Sequence, residues 1–205
     1  MEKINTIKDS VVPLIVDNID TDQIIPARFL KATDRVGFGK NLFSDWCYLE
    51  DGKPNPEFVL NQPAHSGRIL LAGNNFGSGS SREHAAWALY DYGFRVIIST
   101  FFADIFRENA LNNGILPVQV SADFFRVLQE EVELDPETKV VVDLEKQTVR
   151  LVISGESESF KISAYKKTCL SNGYDDLDYL IDMTAEIENF ERKKKETMAF
   201  AVVEK

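Results

Sequence analysis

A loop rich in glycine and serine, with one arginine, occupies residues 73–84 and has the sequence Gly-Asn-Asn-Phe-Gly-Ser-Gly-Ser-Ser-Arg-Glu-His. Its polar centre contains Ser78, Ser80, Ser81 and Arg82. Hydroxyl groups and a guanidinium are the donors that proteins use to bind carboxylates and other oxyanions. The loop, which we call the serine loop, therefore predicts a site for a small anion.

The neighbouring segments place the serine loop at the start of a helix. Residues 69–72, after Arg68, form an apolar run typical of a buried strand, and residues 83–92 have the pattern of a helix that ends before Gly93. The start of a helix carries unpaired N–H groups and a partial positive charge, so it favours a bound anion.

Three better-known loops do not fit this sequence. A phosphate-binding P-loop needs a lysine before its final hydroxyl residue, and none stands between Gly79 and Arg82. The dinucleotide fingerprint needs a third glycine where Arg82 stands. A nucleophile elbow needs glycines two positions before and after its serine, and no serine of the loop has both.

The same residues also have a purely structural interpretation. Ser80 and Glu83 spell a capping box, in which the serine caps a helix and the glutamate bonds back to the serine N–H. Arg82 is then a solvated charge, His84 is an ordinary packed helix residue, and the glycines only shape a turn. For His84 this structural interpretation is the better one.

Further segments in the same order along the chain resemble one family. With the serine loop, they resemble the small subunits of bacterial 3-isopropylmalate dehydratases, which belong to the aconitase superfamily. Many bacterial members have cysteine where this chain has Ser78. The segment nearest the start reads Asn-Ile-Asp-Thr-Asp-Gln-Ile-Ile-Pro, and the segments are 18–26, 29–31, 35–39, 41–43, 101–106 and 109–114.

The resemblance implies a hydro-lyase that interconverts 2-isopropylmalate and 3-isopropylmalate through isopropylmaleate, in leucine biosynthesis. It implies that Ser80 acts as the base, in its alkoxide form, and that Arg82 clamps a substrate carboxylate. Ser81 would help to bind the anion. An alkoxide is a demanding species for a serine, and the helix start together with Arg82 would have to stabilise it.

The resemblance assigns the remainder of the substrate pocket to the first third of the chain. Arg35 is the best match for a second carboxylate-binding arginine, and Arg28 is a weaker one. Residues 29–38 would form a mobile loop that reads the side branch of the substrate. Three further side chains are expected to shape the pocket entrance and bind substrate: Asp20, Thr21 and Asp22.

The cysteine count limits which cofactors this chain can hold. Cys47 and Cys169 are far apart and have no paired Cys-x-x-Cys spacing, so we predict neither a metal site nor a disulfide framework. Two cysteines and two histidines cannot furnish the thiolates that hold an iron–sulfur cluster. The resemblance implies a 4Fe-4S cluster on a separate large subunit, with which this chain forms a heterodimer that acts on a small dicarboxylic hydroxy acid.

Composition is typical of one soluble domain. The chain has 205 residues, of which 44% are hydrophobic, and we expect a single domain over residues 1–205 with an extension from about residue 125 packed on it. A net charge of −10 disfavours nucleic acid and anionic membranes as partners. Residues 1–10 do not resemble a signal peptide, so a cytoplasmic location is expected.

Strand and helix patterns alternate along the chain and predict an α/β fold. The resemblance narrows this to the swivelling β/β/α domain of aconitase-like enzymes, with a C-terminal helical extension. An amphipathic helix is expected over residues 176–195, with its apolar face docked on the same domain. Other predicted strands cover 11–16, 69–72, 96–99, 116–120, 140–143 and 148–153, and helices 83–92, 103–112 and 122–130.

Two other functions remain open from the residues alone. The first is the small subunit of a related hydro-lyase, of the homoaconitase or methylmalate/citraconate type. The second is a non-catalytic anion-binding module that retains the serine loop. Turnover across several diacids would separate the first alternative, and tight anion binding without a partner would favour the second.

Overall fold

A seven-stranded mixed sheet forms the centre of the protein. The computed structural model describes the backbone of residues 1–203 and the side chains of residues 1–195. The strand order is β4-β3-β2-β1-β5-β6-β7. The strands are β1 (Thr6–Leu14), β2 (Ile69–Ala72), β3 (Val96–Ser99), β4 (Leu116–Gln119), β5 (Lys139–Asp143), β6 (Thr148–Leu151) and β7 (Ser157–Ser159).

Helices connect the strands and end the chain. Short 3₁₀ turns cover Ala27–Phe29, Phe38–Asn41 and Val59–Asn61. The α-helices are α1 (Thr21–Ile24), α2 (Ser44–Cys47), α3 (Glu83–Tyr92), α4 (Asp104–Asn112), α5 (Ala122–Leu134), α6 (Ala164–Asn172), α7 (Asp176–Asp182) and α8 (Thr184–Val203).

The direction of the strands decides where the serine loop lies. Strands β1 to β4 pair in parallel, with Val11 opposite Ile69 in the central pair. Strands β5 to β7 continue the sheet in antiparallel pairs, beginning with Thr6 opposite Asp143. The carboxyl ends of parallel strands share one edge, where α/β proteins commonly bind ligands. The serine loop follows β2 at this edge.

Apolar side chains cover both faces of the sheet. Along β2, Ile69 and Leu71 pack into one core cluster, and Leu70 and Ala72 pack into the other. Every residue of β2 and β3 is buried, as expected for parallel strands with helices on both faces. Strand β2, which leads into the serine loop, therefore packs against both hydrophobic core clusters.

The predicted C-terminal helix differs from the structure in two respects. Two helices, α7 and α8, replace the single helix, and Met183 lies between them. The predicted docking of the apolar face is wrong, because Leu177 and Phe190 are 64% and 66% exposed. Both faces of the sheet are already covered, so no core surface is left to receive this face.

One anchor ties the start of α7 to the domain. The Lys166 amine is buried and lies 3.0 Å from the Asp176 carboxylate, and it also bonds to the Asn112 amide oxygen. The Tyr165 hydroxyl donates to the same carboxylate at 2.5 Å. Beyond this point the large apolar side chains of α7 and of the described part of α8 are exposed.

Candidate active site

Three loops meet at the carboxyl edge of the parallel strands. The loop after β1 bonds to the serine loop, since the Asn18 N–H donates to the Asn74 carbonyl at 2.8 Å. The Asp17 carboxylate accepts from the Asn74 N–H at 2.7 Å. The loop after β3 joins them, because the Phe76 N–H donates to the Phe101 carbonyl. We call this surface the loop platform, comprising residues 15–20, 73–82 and 99–103.

Main-chain bonds to the first segment hold the serine loop in place. The Gly77 N–H donates to the Ile19 carbonyl at 2.8 Å, and the Thr21 N–H donates to the Ser78 carbonyl at 2.8 Å. The buried Thr21 hydroxyl donates to the Ser80 carbonyl at 2.9 Å. The backbone at Ser80 is thus fixed by a residue 59 positions earlier in the chain.

Gly77 cannot be replaced without moving the loop. Its φ of +79° favours glycine, and a Cβ there would lie 2.1 Å from Cγ of the buried Phe106 ring. We therefore expect Gly77→Ala to lower the free energy of unfolding by about 3 kcal/mol or more, through strain and overpacking together. Chemical denaturation measures this loss.

Gly52→Ala is the matched control. Gly52 has a φ of +80°, but a Cβ there would meet nothing within 4 Å, so only the backbone strain of about 1 kcal/mol remains. Equal losses for the two variants would show that the Phe106 ring yields easily and that packing does not fix the loop.

The capping-box interpretation of the serine loop is wrong. Helix α3 begins at Glu83 with Arg82 as its N-cap, two residues later than a cap at Ser80 requires, and no side chain caps it. The Glu83 carboxylate instead accepts from the Trp87 indole at 3.2 Å. Ser80 and Ser81 are exposed, and within the described part of the chain neither hydroxyl forms a hydrogen bond.

Helices α3 and α4 begin without a side-chain cap, whereas α5, α6 and α7 each have one. Ser121 caps α5, Ser163 caps α6 and Asp175 caps α7 through side-chain oxygens. At α3 the first N–H groups have no such side-chain acceptor, and two free hydroxyls precede them. This arrangement suits an anion in the place of the missing cap.

Arg82 is held beside the serines by an acidic partner. Its side chain is only 14% exposed, and Nη2 donates to the Asp22 Oδ2 at 2.7 Å while Nη1 contacts Oδ1. The Arg82 hydrogen bond lowers the pKa of the Asp22 carboxyl, and the same bond raises the pKa of Arg82. The guanidinium is therefore charged, oriented and matched to a planar carboxylate.

Asp20, Thr21 and Asp22 each form hydrogen bonds at or near the serine loop. The Asp20 carboxylate accepts from the Asp22 and Gln23 N–H groups and caps α1. Thr21 holds the Ser80 carbonyl, and Asp22 holds Arg82. The structure brings all three to the serine loop, and their contact with substrate stays a prediction.

Arg35 lies at the start of α3, next to the serine loop. Its Nη1 donates to the Asn113 amide oxygen at 3.0 Å, and its guanidinium stacks over the Trp87 ring at 4.5 Å. Glu83, the neighbour of Arg82 in sequence, lies 3.6 Å from Arg35 Nη2. The sequence did not predict that Asn113, Trp87 and Glu83 surround Arg35. The one signal for this contact was that Asn113 lies in a segment that resembles the family.

Two other predicted residues lie elsewhere. Arg28 pairs with the Asp45 carboxylate at 2.5 Å and does not reach the serine loop. His84 packs against Trp87 with ring centres 4.3 Å apart, and its Nε2 lies 3.1 Å from the Ala32 carbonyl oxygen. His84 is therefore a packed helix residue, as its position predicted.

Neither thiol has the character of a metal ligand. Burial raises the pKa of the Cys47 thiol to about 11, and burial also raises the pKa of Cys169. Among the described residues, no three His, Cys, Asp or Glu side chains are grouped so that they could hold a metal ion. No helix in this part of the chain has the length and apolar character needed to cross a membrane.

Comparison with known proteins gives consistent matches. The family described as "Aconitase C-terminal domain" matches residues 1–123. A 3-isopropylmalate dehydratase small subunit from Christiangramia forsetii is 60% identical over 195 residues, covering 95% of each chain. One from Cytophaga hutchinsonii is 58% identical over 195 residues, covering 95% of this chain and 97% of that protein.

A solved structure also matches the fold. It is a crystal structure of 3-isopropylmalate dehydratase (leuD) from Methanocaldococcus jannaschii, with a TM-score of 0.65 and 26% identity. The match covers 92% of this chain and 99% of the other.

Proposed function

The chain belongs to the family of 3-isopropylmalate dehydratase small subunits, in the aconitase superfamily, and from this premise we propose how its residues take part in the reaction. The enzyme is a hydro-lyase of leucine biosynthesis. It isomerises 2-isopropylmalate to 3-isopropylmalate through isopropylmaleate, by removing water and adding it back. The fold is that of the aconitase-like swivelling domain.

Ser80 is the base in this proposal. Dehydration requires removal of a proton from the carbon next to a carboxylate, and rehydration returns one. A serine hydroxyl ionises only with strong local stabilisation of the alkoxide. The observation that carries the proposal is that the Ser80 hydroxyl is exposed and unbonded beside the uncapped start of α3. Arg82 adds a fixed positive charge on the same side.

Arg82 and Ser81 bind a substrate carboxylate in this proposal. The hydrogen bond from Arg82 to the planar Asp22 carboxylate supports this role, because a guanidinium pairs well with a carboxylate. Arg35, which is held by Asn113 and by the Trp87 ring, binds the second carboxylate in this proposal. Val36, within the predicted loop of residues 29–38, is exposed and supplies an apolar contact for the isopropyl branch.

The Lewis acid that takes the hydroxyl group belongs to a partner in this proposal. The donors of this chain do not fit a 4Fe-4S cluster, since it has only two thiols, both are buried, and burial raises the pKa of each. We assign the cluster to a large subunit that forms a heterodimer with this chain in the cytoplasm. The steps argued for this chain are therefore those of the base and the carboxylate clamps.

Reconstitution tests the proposal directly. Interconversion of 2- and 3-isopropylmalate is measured with this chain alone, with a cluster-loaded large subunit from the same source alone, and with both under anaerobic conditions. We expect turnover only in the mixture. Association without turnover of any malate-like diacid would contradict the catalytic role, and absence of association would favour an anion-binding module.

Thr21 is proposed as a positioning residue whose loss changes rate more than stability. Thr21→Val keeps the shape of the side chain but removes the bond to the Ser80 carbonyl. We expect kcat to fall about tenfold or more, because small displacements of a reacting group are costly. Thr21→Ser should restore the rate, since it restores the hydroxyl.

Thr138→Val is the matched control for this prediction. Thr138 is also buried and also donates to a carbonyl, that of Glu131 at 3.0 Å, but it lies between α5 and β5. We expect a similar loss of thermal stability in both variants and a loss of kcat only in Thr21→Val. An equal effect on kcat would show that the Thr21 bond is merely structural.

A further inference from the structure

The loop platform and the first turn of α4 beside it carry large apolar side chains that the isolated chain leaves exposed. Val16 after β1 is 45% exposed, Phe101 after β3 is 46% exposed, and Ile105 in the first turn of α4 is 56% exposed. Single exposed apolar residues are common, but several around one functional loop indicate a surface that another molecule covers. We call these three residues the apolar rim.

The apolar rim is tied to the serine loop by hydrogen bonds. The Thr100 hydroxyl donates to the Asn74 side-chain oxygen at 3.0 Å, and the Asp17 carboxylate accepts from the Asn74 N–H. The Ala103 N–H donates to the Phe76 carbonyl at 3.1 Å. Each rim residue lies within two positions of one of these bonded residues, so its backbone is already ordered and little entropy is lost when a partner binds.

The charge around the apolar rim is mainly negative. Residues 15–24, 73–82 and 99–106 contain four aspartates and one arginine, Arg82, which is paired with Asp22. Asp17 and Asp104 are exposed beside the rim residues. A second copy of this chain, packed face to face, would set these acids against themselves, which disfavours a symmetric dimer here. The surface therefore fits a partner with an apolar centre and basic groups around it.

The chemistry of the site selects the partner. Ser80 and Ser81 are exposed in this chain, whereas an alkoxide base and its clamps need a site from which water is excluded. A subunit that closes over the serine loop must also cover the platform on which the loop is mounted. Resting on the proposed function, we infer that the apolar rim of Val16, Phe101 and Ile105 is the docking surface for the cluster-bearing large subunit.

Binding measurements with the full chain and the large subunit test this inference. We expect Phe101→Glu and Ile105→Glu each to weaken the association about tenfold or more, because a charge replaces an apolar contact at the interface centre. Leu134→Glu and Ile153→Glu are matched controls at residues that are more exposed and lie outside the platform, and they should change the affinity less than about twofold. Thermal unfolding of each free variant should match that of the parent.

Activity measurements separate docking from catalysis. At saturating large subunit the rim variants should recover the parental kcat, since they touch neither the serines nor Arg82. Added salt should weaken association of the parent chain, because acidic groups surround the rim.

Each contrary outcome has a distinct meaning. Failure of the parent chain to bind the large subunit would overturn the proposed function and the docking surface with it. Normal binding by the rim variants, with binding lost in Leu177→Glu or Phe190→Glu, would place the interface on α7 and α8 and overturn the rim alone. Self-association of the parent that the rim variants abolish would show a second copy as the occupant and would also overturn it.

Discussion

Ser80→Ala should abolish measurable turnover of 2-isopropylmalate by the reconstituted enzyme, with kcat lowered by about a thousandfold or more. A positioned general base contributes roughly 10² to 10⁴ in rate, and the proposal gives this role to Ser80. Folding should be unaffected, because the Ser80 side chain is exposed and its hydroxyl makes no hydrogen bond in the described structure. Anaerobic kinetics on a verified complex measure the effect.

Ser78→Ala is the matched control for the base. Ser78 lies two residues earlier in the same loop, and its hydroxyl donates to the Asn18 carbonyl at 3.3 Å instead of facing the start of α3. We expect its kcat to stay within about threefold of the parent, as for a loop residue that touches no reacting atom. Near-normal turnover by Ser80→Ala in a complex shown to be intact would exclude Ser80 as the base.

The core of the fold was predictable because its sequence signals agree with one another. The bounds of β2, α3 and β3 were predicted to the residue, and here short apolar runs, a helical pattern and a stop at Gly93 all coincide. Strand β7 and helix α6 were missed. Strand β7 consists of Ser157–Ser159, which has no apolar residue, and lies at the edge of the sheet. An edge strand needs little apolar pattern, so nothing in the sequence marks it.

Helix α6 was missed for a different reason. It buries Lys166, whose amine is satisfied only by Asp176 and Asn112 from two other helices. A buried lysine is rare unless it is paired, and the pairing is visible only in three dimensions. Helices α7 and α8 differ from α6, because their sequence has an apolar pattern but the side chains of that pattern are exposed. No core surface remains to cover them.

The serine loop was predictable as a binding site, but its supports were not. Glycines, hydroxyls and Arg82 in one short segment identify the chemistry from residue types alone. The bond from Thr21 to Ser80 and the bond from Arg35 to Asn113 join residues 59 and 78 positions apart. Such contacts follow from strand order, which local pattern does not give.

Arg82→Lys should lower kcat/KM for 2-isopropylmalate by about a hundredfold or more, although the charge is kept. The Arg82 guanidinium meets the Asp22 carboxylate with both of its terminal nitrogens, in a side chain that is largely buried. An ammonium group is a point charge that cannot form this planar double contact with Asp22 or with a substrate carboxylate. We expect both a higher KM and a lower kcat, since the clamp acts on substrate and on the transition state.

Arg28→Lys is the control that separates the clamp from charge conservation in general. Arg28 makes a similar close pair with Asp45, but both side chains are more than half exposed and the pair lies away from the serine loop. Exposed pairs of this kind contribute little, so the variant should keep kcat/KM within about twofold. If Arg82→Lys behaves like Arg28→Lys, a positive charge alone suffices beside Ser80. Planar recognition of the carboxylate would then have to come from Arg35, and Arg35→Lys would show the larger loss.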